Sequence, residues 1–224
     1  RAGAAWKERL ADAGLALERH ATSKIRSADD IHRVNSFGFR GEALPSIASV
    51  SRFRLRSRPK SASEGIEIEV KGRAAPEQRS CGMSQGTEVI VADLFHNVPA
   101  RRKFLKTERT EAAHIIQICR LLAVAHPHVG FSLMEDGHEV FRSPPCPDRL
   151  QRVREIFGKR RSRELMLFAK DMNGIRLEGL LGRPEHGRAT RSEMITYVNL
   201  RPVESRVLSY ALIESYHRYL PRGR

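Results

Sequence analysis

Residues 86–105 read GTEVIVADLFHNVPARRKFL, and this stretch decides how the chain is divided. The run from Thr87 to Leu94 is rich in β-branched residues and predicts a strand. The Asn-Val-Pro sequence at residues 97–99 then predicts a turn, because proline lacks a backbone N–H and restricts the residue before it. The residues that follow are basic and differ in character from those before. We therefore predict one domain over residues 1–100 and a second over residues 101–224.

The residues before this stretch alternate between apolar and charged types. Phe53 and Leu55 alternate with arginines, and the apolar residues of Ile66–Val70 alternate with glutamates. This period of two predicts antiparallel strands with one solvated face. A short helix is predicted upstream, over Glu42–Ser49. The apolar side chains that this helix should pack are Leu44, Ile47 and Ala48.

The residues after the stretch predict a second α/β layer. Glu111–Ala125 is apolar almost all round, so we expect a helix that is buried on several sides. Asp-Gly at 136–137 and Asn-Gly at 173–174 predict turns between strands. A further strand is predicted over Glu193–Asn199 and a closing helix over Glu204–Tyr219. The chain is therefore predicted to be α/β (α+β), with two layered domains.

The charge balance favours a polyanionic partner. Lys and Arg number 40 against 26 Asp and Glu, which gives a formal net charge of +14. Such an excess suits nucleic acid, although a solvated basic surface is the alternative. No apolar run is long enough to span a membrane. The three cysteines are widely spaced, which argues for a reducing compartment and against a disulfide framework or a zinc site.

Two further segments have the composition of a phosphate site, HATSK at residues 20–24 and GFRGEAL at residues 38–44. Gly38 and Gly41 allow the backbone to approach a ligand closely, and the N–H groups at the start of the following helix are free to bind an anion. The side chains that could add charge or hydroxyl hydrogen bonds are Thr22, Ser23, Lys24 and Arg40. From these residues alone, phosphate binding and a plain tight turn both remain open.

Taken together, these segments resemble the MutL family of DNA mismatch-repair ATPases. The N-terminal region of that family carries RHATSKI, GFRGEAL, GT.V.V.DLF.N.PARRKFL and YVN.RPV segments. They stand here at residues 19–25, 38–44, 86–105 and 197–203. Their order and spacing also match.

The resemblance implies a partial GHKL ATP-binding domain, an α/β sandwich shared with gyrase, over residues 1–100. A ribosomal-protein-like α/β transducer domain, incomplete at its C-terminus, would follow over residues 101–224. In such proteins the Thr-Ser-Lys and Gly-Phe-Arg-Gly segments form a lid over the triphosphate of ATP. The ATP- and phosphate-binding residues implied here are Thr22, Ser23, Lys24, Gly38, Phe39, Arg40, Gly41 and Thr87.

The resemblance also implies a function and its partners. The function is that of an ATP-dependent matchmaker, which couples mismatch recognition to downstream repair in the bacterial cytoplasm, at the nucleoid. The cofactors would be ATP and Mg²⁺. The partners would be DNA, a mismatch-recognition protein of the MutS type and, in the full-length parent, a second copy, with no membrane. Arg201 and Arg206 match DNA-contacting arginines, and a basic run over Lys159–Arg163 either adds to that surface or forms a solvated loop.

The sequence departs from the family at both ends. Upstream of His20, relatives carry a helix with a catalytic Glu and a magnesium-binding Asn, and an Asp-x-Gly-x-Gly loop that reads adenine. Residues 1–12 read RAGAAWKERLAD and contain no such loop, so we assign no catalytic residue and expect no ATP hydrolysis. A VHPAK stretch whose Lys reaches the γ-phosphate is also missing after Arg224.

We therefore interpret the chain as truncated at both ends, with an unpaired edge and exposed apolar surface on its first sheet. Smaller departures are Leu200, where relatives usually have Gly, and His96, where Tyr is common. Two alternatives to the leading interpretation stay open. One is a non-catalytic basic DNA-binding fragment without nucleotide activity, and the other is a structural remnant.

Overall fold

The computed structural model describes residues 14–15, 17–18, 41–72, 74–187 and 193–219. Its chain forms two compact units, Arg1–Leu105 and Lys106–Arg224. The described part of each unit combines helices with antiparallel strands, so the mixed α/β class predicted from the sequence is confirmed.

The first unit is built on one four-stranded sheet. Its elements are α1 (Ala43–Ala48), β1 (Arg52–Arg58), β2 (Gly65–Lys71), β3 (Glu77–Cys81), β4 (Gly86–Ala92) and α2 (Pro99–Arg102). The strand order is β3-β2-β1-β4, and every neighbouring pair is antiparallel. A domain boundary between residues 100 and 101 would cut through α2, whereas the two compact units divide after Leu105.

The core of this unit lies on the apolar face of the sheet. The alternation in β1 and β2 puts one set of buried side chains on that face, and α1 packs against it. These side chains are Phe53, Leu55, Ile66, Ile68, Val70 and Ala48. The expectation that Ile47 packs there is wrong, since it is 37% exposed. Leu44 and Ala48, four residues apart, share the face of α1 that meets the sheet, and Pro45 is buried in place of Ile47.

The second unit consists of helices and three two-stranded sheets within the described residues. Its helices are α3 (Glu108–Ala125), α4 (Arg149–Phe157), α5 (Lys159–Arg163) and α6 (Arg206–Tyr216), with a 3-10 turn at Pro184–His186. Its strands are β5 (Phe131–Glu135), β6 (His138–Ser143), β7 (Leu165–Met172), β8 (Ile175–Gly182), β9 (Thr196–Val198) and β10 (Arg201–Val203). The strands form three hairpins, in which β5 pairs with β6, β7 with β8 and β9 with β10.

The hairpin turns explain two of the sequence signals and one departure. Asp136 and Asn173 adopt φ angles of 48° and 49°, each followed by a glycine with φ of 77°, so both predicted turns are confirmed. The predicted strand over Glu193–Asn199 is shorter, and it pairs with an unpredicted partner, β10. Leu200, in the turn between them, has φ of 65°, a conformation in which glycine is unstrained.

Helix α3 begins earlier than predicted, because the Thr107 side chain accepts a hydrogen bond from the Thr110 N–H and caps its first turn. The expectation that it is buried on several sides is wrong. Ile115 and Ile118 are each 56% exposed, and its buried residues are Ala123, Val124 and Ala125. Only the last turns of α3 enter the core of the second unit, which Phe141, Val153 and Ile156 complete.

Candidate functional site

Most of the predicted nucleotide-binding residues lie outside the described part of the chain. These are Thr22, Ser23, Lys24, Gly38, Phe39 and Arg40. The remaining two, Gly41 and Thr87, both belong to the first unit and are described.

Gly41 lies at the point where the chain enters α1. Its φ angle is 64°, in the left-handed region that residues with a Cβ avoid. Glu42 follows as the N-cap residue, and the Ser46 N–H donates to the Glu42 carbonyl at 3.0 Å. The backbone conformation at residue 41 therefore gives a physical reason for the second glycine of the Gly-x-x-Gly sequence.

Thr87 lies at the start of β4, directly opposite Ser57 of β1. The Oγ1 atom of Thr87 and the Oγ atom of Ser57 are 2.9 Å apart. Because side chains alternate along a strand, Thr87 shares the sheet face of Leu55, which is the face covered by α1. Thr87 is exposed and lines a cavity of about 290 Å³ with Arg56 and Gly86. Thr87 is therefore an exposed residue on the same sheet face as α1.

The edge of the sheet beside Thr87 is apolar and open. Strand β4 is an edge strand of the described sheet, and all seven of its residues are exposed. Val89 and Val91 point to the same face as Thr87 and are 46% and 43% exposed. The exposed apolar surface expected on the first sheet is therefore present at β4.

The opposite face of the sheet is charged, and its arginines and glutamates pair with one another. Glu67 of β2 is 1% exposed, and its carboxylate accepts hydrogen bonds from Arg56 Nε at 2.5 Å and Arg79 Nε at 2.7 Å. The hydrogen bond from Arg56, with a second from Arg79, holds the pKa of the Glu67 carboxyl below its ordinary value despite burial. This cluster explains the arginine-glutamate alternation as a structural feature of the sheet.

The segment with the predicted DNA-contacting arginines is anchored to α3. The Tyr197 hydroxyl donates to the Leu121 carbonyl at 2.9 Å, and burial raises the pKa of Tyr197 to about 12. Arg201 is the first residue of β10 and is half-buried. Arg206 is the first residue of α6 and is exposed, directly after the N-cap Ser205. The two arginines thus lie at the starts of successive elements of the second unit.

The basic run at residues 159–163 forms α5, which corrects the alternative of a solvated loop. Arg161 forms an ion pair with Glu193, and its guanidinium lies 5.4 Å from the centre of the Phe157 ring. Arg160 lies 3.6 Å from the Glu164 carboxylate, although its side chain is 94% exposed. Part of this positive charge is therefore already paired within the second unit.

No group of three or more His, Cys, Asp or Glu residues that could hold a metal ion occurs among the described residues. No helix in that part of the chain is long and apolar enough to cross a membrane. The three cysteines, Cys81, Cys119 and Cys146, are free.

Comparison with known proteins gives consistent relatives for both units. A family model for "DNA mismatch repair protein, C-terminal domain" matches residues 153–224. The DNA mismatch repair protein MutL of Opitutus terrae is 56% identical over 213 residues, covering 95% of this chain and 34% of that protein. MutL of Geobacter sulfurreducens is 43% identical, with coverages of 95% and 35%. The chain thus spans about a third of the length of these curated relatives.

Solved structures show the same fold. The Aquifex aeolicus MutL ATPase domain complexed with ADP matches with a TM-score of 0.65 and 34% identity, covering 84% of this chain and 70% of that one. The N-terminal domain of a DNA repair protein matches with a TM-score of 0.73 at 22% identity, covering 92% of this chain and 65% of that one.

Proposed function

Because this chain belongs to the MutL family of DNA mismatch-repair proteins, we propose that it acts in an ATP-dependent matchmaker that couples mismatch recognition to downstream repair. The observation that supports this most is the likeness of most of the chain to an ATPase domain solved with ADP. The geometry around α1 agrees, because Gly41 has a left-handed backbone where the Gly-x-x-Gly segment meets the helix.

The proposed nucleotide site lies on the apolar face of the first sheet. Thr87 is an exposed residue there, and Gly41 permits a close approach of the backbone to phosphate. Lys24 and Arg40 would supply positive charge to the triphosphate, and the hydroxyls of Thr22 and Ser23 would donate hydrogen bonds. Gly38 and Phe39 complete the proposed lid.

The described residues contain no group of three or more His, Cys, Asp or Glu that could hold a metal ion, so no residue is assigned to magnesium. No step through the metal is therefore derived, and the proposal concerns nucleotide binding rather than hydrolysis. In this scheme ATP changes the conformation of the lid, and the change is passed on to the partners.

The proposed partners are DNA, a mismatch-recognition protein of the MutS type and a second copy of the full-length protein, in the bacterial cytoplasm at the nucleoid. The net charge of +14 supports contacts to the phosphate backbone. Arg201 and Arg206 are the residues proposed to make them, and Arg206 is exposed at the start of α6.

Nucleotide binding is tested by titrating the chain with a non-hydrolysable ATP analogue and magnesium in a calorimeter. We expect micromolar affinity, which Arg40→Ala abolishes because it removes a charge from the triphosphate. Arg54→Ala is the matched control, since Arg54 lies on the charged face of β1, 3.7 Å from the Glu69 carboxylate. Equal affinity of the Arg40→Ala and wild-type chains would contradict the assignment of Arg40.

DNA binding is tested on the same chain by measuring affinity against salt concentration. Replacing Arg206 by Ala should reduce the slope of log affinity against log salt by about 0.9 if one phosphate contact is lost. Arg142→Ala serves as the control, because Arg142 is exposed on β6 and paired with Glu139. Salt-sensitive DNA binding without any nucleotide affinity would favour the alternative, a non-catalytic basic DNA-binding fragment.

A further inference from the structure

The turn after β4 has an unusual backbone. Asp93 and Phe95 adopt φ angles of 51° and 63°, although neither is glycine. Left-handed conformations at such residues persist only where surrounding contacts hold them, and they cluster at functional sites. Arg52 Nε lies 3.2 Å from the Asp93 carboxylate, but this pair is exposed and holds only the start of the turn. The rest of the turn needs another anchor.

That anchor is the C-terminal end of α1. The Phe95 N–H donates to the Val50 carbonyl at 2.7 Å, and the Asn97 side-chain amide donates to the Ser49 carbonyl at 2.9 Å. The carbonyls in the last turn of α1 are satisfied locally by the N–H groups of residues 49–51, so the donors from the turn bind the two residues that directly follow the helix. The turn therefore holds the chain at the C-terminal end of α1 from a position 48 residues further along the chain.

Gly72 leaves the space that the hydrogen bond between Asn97 and Ser49 requires. A Cβ atom at residue 72 would lie 3.0 Å from Asn97 Nδ2, which is closer than most side-chain contacts allow. Gly72 also has φ of 64°, and its N–H donates to the Ser51 carbonyl at 3.3 Å. Gly72, which directly follows β2, thus leaves room for the Asn97 amide and donates to the segment that follows α1.

Helix α1 depends on such anchors because it is only six residues long and buries only Pro45 and Ala48. A helix this short is not stable alone, so its packing on the sheet through Leu44 and Ala48 and the hydrogen bonds at its C-terminal end hold it together. Its N-terminal end connects to Gly41 through Glu42. The hydrogen bonds at its C-terminal end therefore contribute to where Gly41 lies relative to the sheet face that carries Thr87.

We propose that Asn97 is a positioning residue for the nucleotide site, whose amide holds α1, and through it Gly41, on the sheet. This inference rests on the proposed function and deepens it. Asn97 touches no nucleotide in this scheme; it acts through α1. The residue also directly precedes the segment that enters α2, so the same turn joins the nucleotide-facing helix to the basic PARRK sequence.

The test separates hydrogen-bond donation from packing. Asn97→Asp keeps the shape of the side chain but replaces the donor with a carboxylate at neutral pH. Asn97→Gln keeps the donor and changes the shape. Two quantities are measured for both variants and the wild type: amide hydrogen exchange of residues 46–50 against that of β2, and affinity for the non-hydrolysable ATP analogue.

We expect Asn97→Asp to speed exchange of residues 46–50 about fivefold and to weaken nucleotide affinity by a similar factor, because one hydrogen bond is lost. Exchange in β2 should stay unchanged, and Asn97→Gln should lie between Asn97→Asp and the wild type. Wild-type exchange at residues 46–50 in the Asn97→Asp variant would overturn the proposal. So would a uniform acceleration in α1 and β2, which indicates a general structural role.

Failure of the proposed function looks different. If the wild-type chain has no affinity for the analogue, the nucleotide site is refuted and with it the role of Asn97 in positioning that site. Faster exchange confined to residues 46–50 in the Asn97→Asp variant would then still establish the anchor. Faster exchange with unchanged nucleotide affinity would refute the positioning role alone.

Discussion

Among the residues that the structure describes, each of the two units buries one charged side chain, and the two charges are satisfied in different ways. Glu67 in the first unit is 1% exposed and is held by two arginine side chains. Arg152 in the second unit is 0% exposed and is held by backbone carbonyls. It donates to Ser143 at 3.1 Å and to Pro127 and Val129 at 2.6 Å each.

This difference determines how each unit depends on its buried charge. The partners of Glu67 are side chains with side-chain exposures of 34% and 65%, so water can solvate them if the pair breaks. The partners of Arg152 are carbonyls that cannot move away without a change in the chain path. Arg152 also lies 5.5 Å from the Phe131 ring centre, which ties β5 to the same point. Glu67 therefore belongs to an ion-pair network whose arginines water can solvate. Arg152 instead joins separate chain segments through hydrogen bonds.

The larger loss of stability is expected from Arg152→Met, which fills the space but removes all three hydrogen bonds. We expect the second unit to lose about 4 kcal/mol of unfolding free energy, because buried carbonyls lose their partners. Native-state hydrogen exchange in β6 measures this, and Arg154→Met on the exposed side of α4 is the control. A loss below about 1 kcal/mol would show that water replaces the guanidinium.

Glu67→Gln should have a smaller effect on the first unit, about 2 kcal/mol, because the freed arginines remain partly hydrated. Hydrogen exchange in β2 measures the change. Glu69→Gln is the matched control on the same strand, since Glu69 makes only longer contacts, at 3.7 Å to Arg54 and 3.6 Å to Lys71. Equal losses in the two variants would mean that burial of the carboxylate makes no difference.

The loss of stability caused by Glu67→Gln should depend on pH. The folded pKa of Glu67 lies below the ordinary value of 4.5, so its stabilising contribution is present above that value and is lost as pH falls through the folded pKa. The stability gap between the wild type and Glu67→Gln should therefore be constant from pH 7 to about 5 and shrink below about 4.5. Urea unfolding at several pH values measures it, and a gap that widens in acid contradicts the assignment.

The smallest expected effect is a stabilisation of the second unit by Leu200→Gly. Leu200 has φ of 65°, and relief of that strain should add about 1 kcal/mol and raise the melting temperature by roughly 4 °C. Asn199→Gly is the control, since Asn199 has φ of 49° and asparagine tolerates this region. A drop in melting temperature for Leu200→Gly would mean that its side-chain contacts outweigh the strain.

The sequence predicted those parts of the fold that local patterns encode. Alternation located β1 and β2, and the Asp-Gly and Asn-Gly pairs located two hairpin turns. The sequence pattern does not predict β3. Residues Glu77–Cys81 are polar and almost entirely exposed, so they show no alternation. The sequence also predicted too much burial for α3, since an apolar helix surface does not reveal how many neighbours cover it.

Local patterns in the sequence also predict only part of the candidate site. The need for glycine at residue 41 followed from backbone chemistry, and the φ angle agrees. The role of Thr87 came only from the family resemblance, because one exposed threonine in a strand carries no signal. The sequence predicts only a turn at Asn97, since its partner Ser49 lies 48 positions earlier and no local pattern connects them.

The pairing order of the strands has a consequence for the time course of folding. Every sheet of the second unit within the described residues joins strands that follow each other along the chain, so each one closes a short loop. In the first unit β4 pairs with β1 alone in the described sheet, which brings together Ser57 and Thr87 across 30 positions. Contacts of higher sequence separation form more slowly. We therefore expect the hairpins of the second unit to be protected first in pulse-labelled refolding, with β4 among the last strands to gain protection.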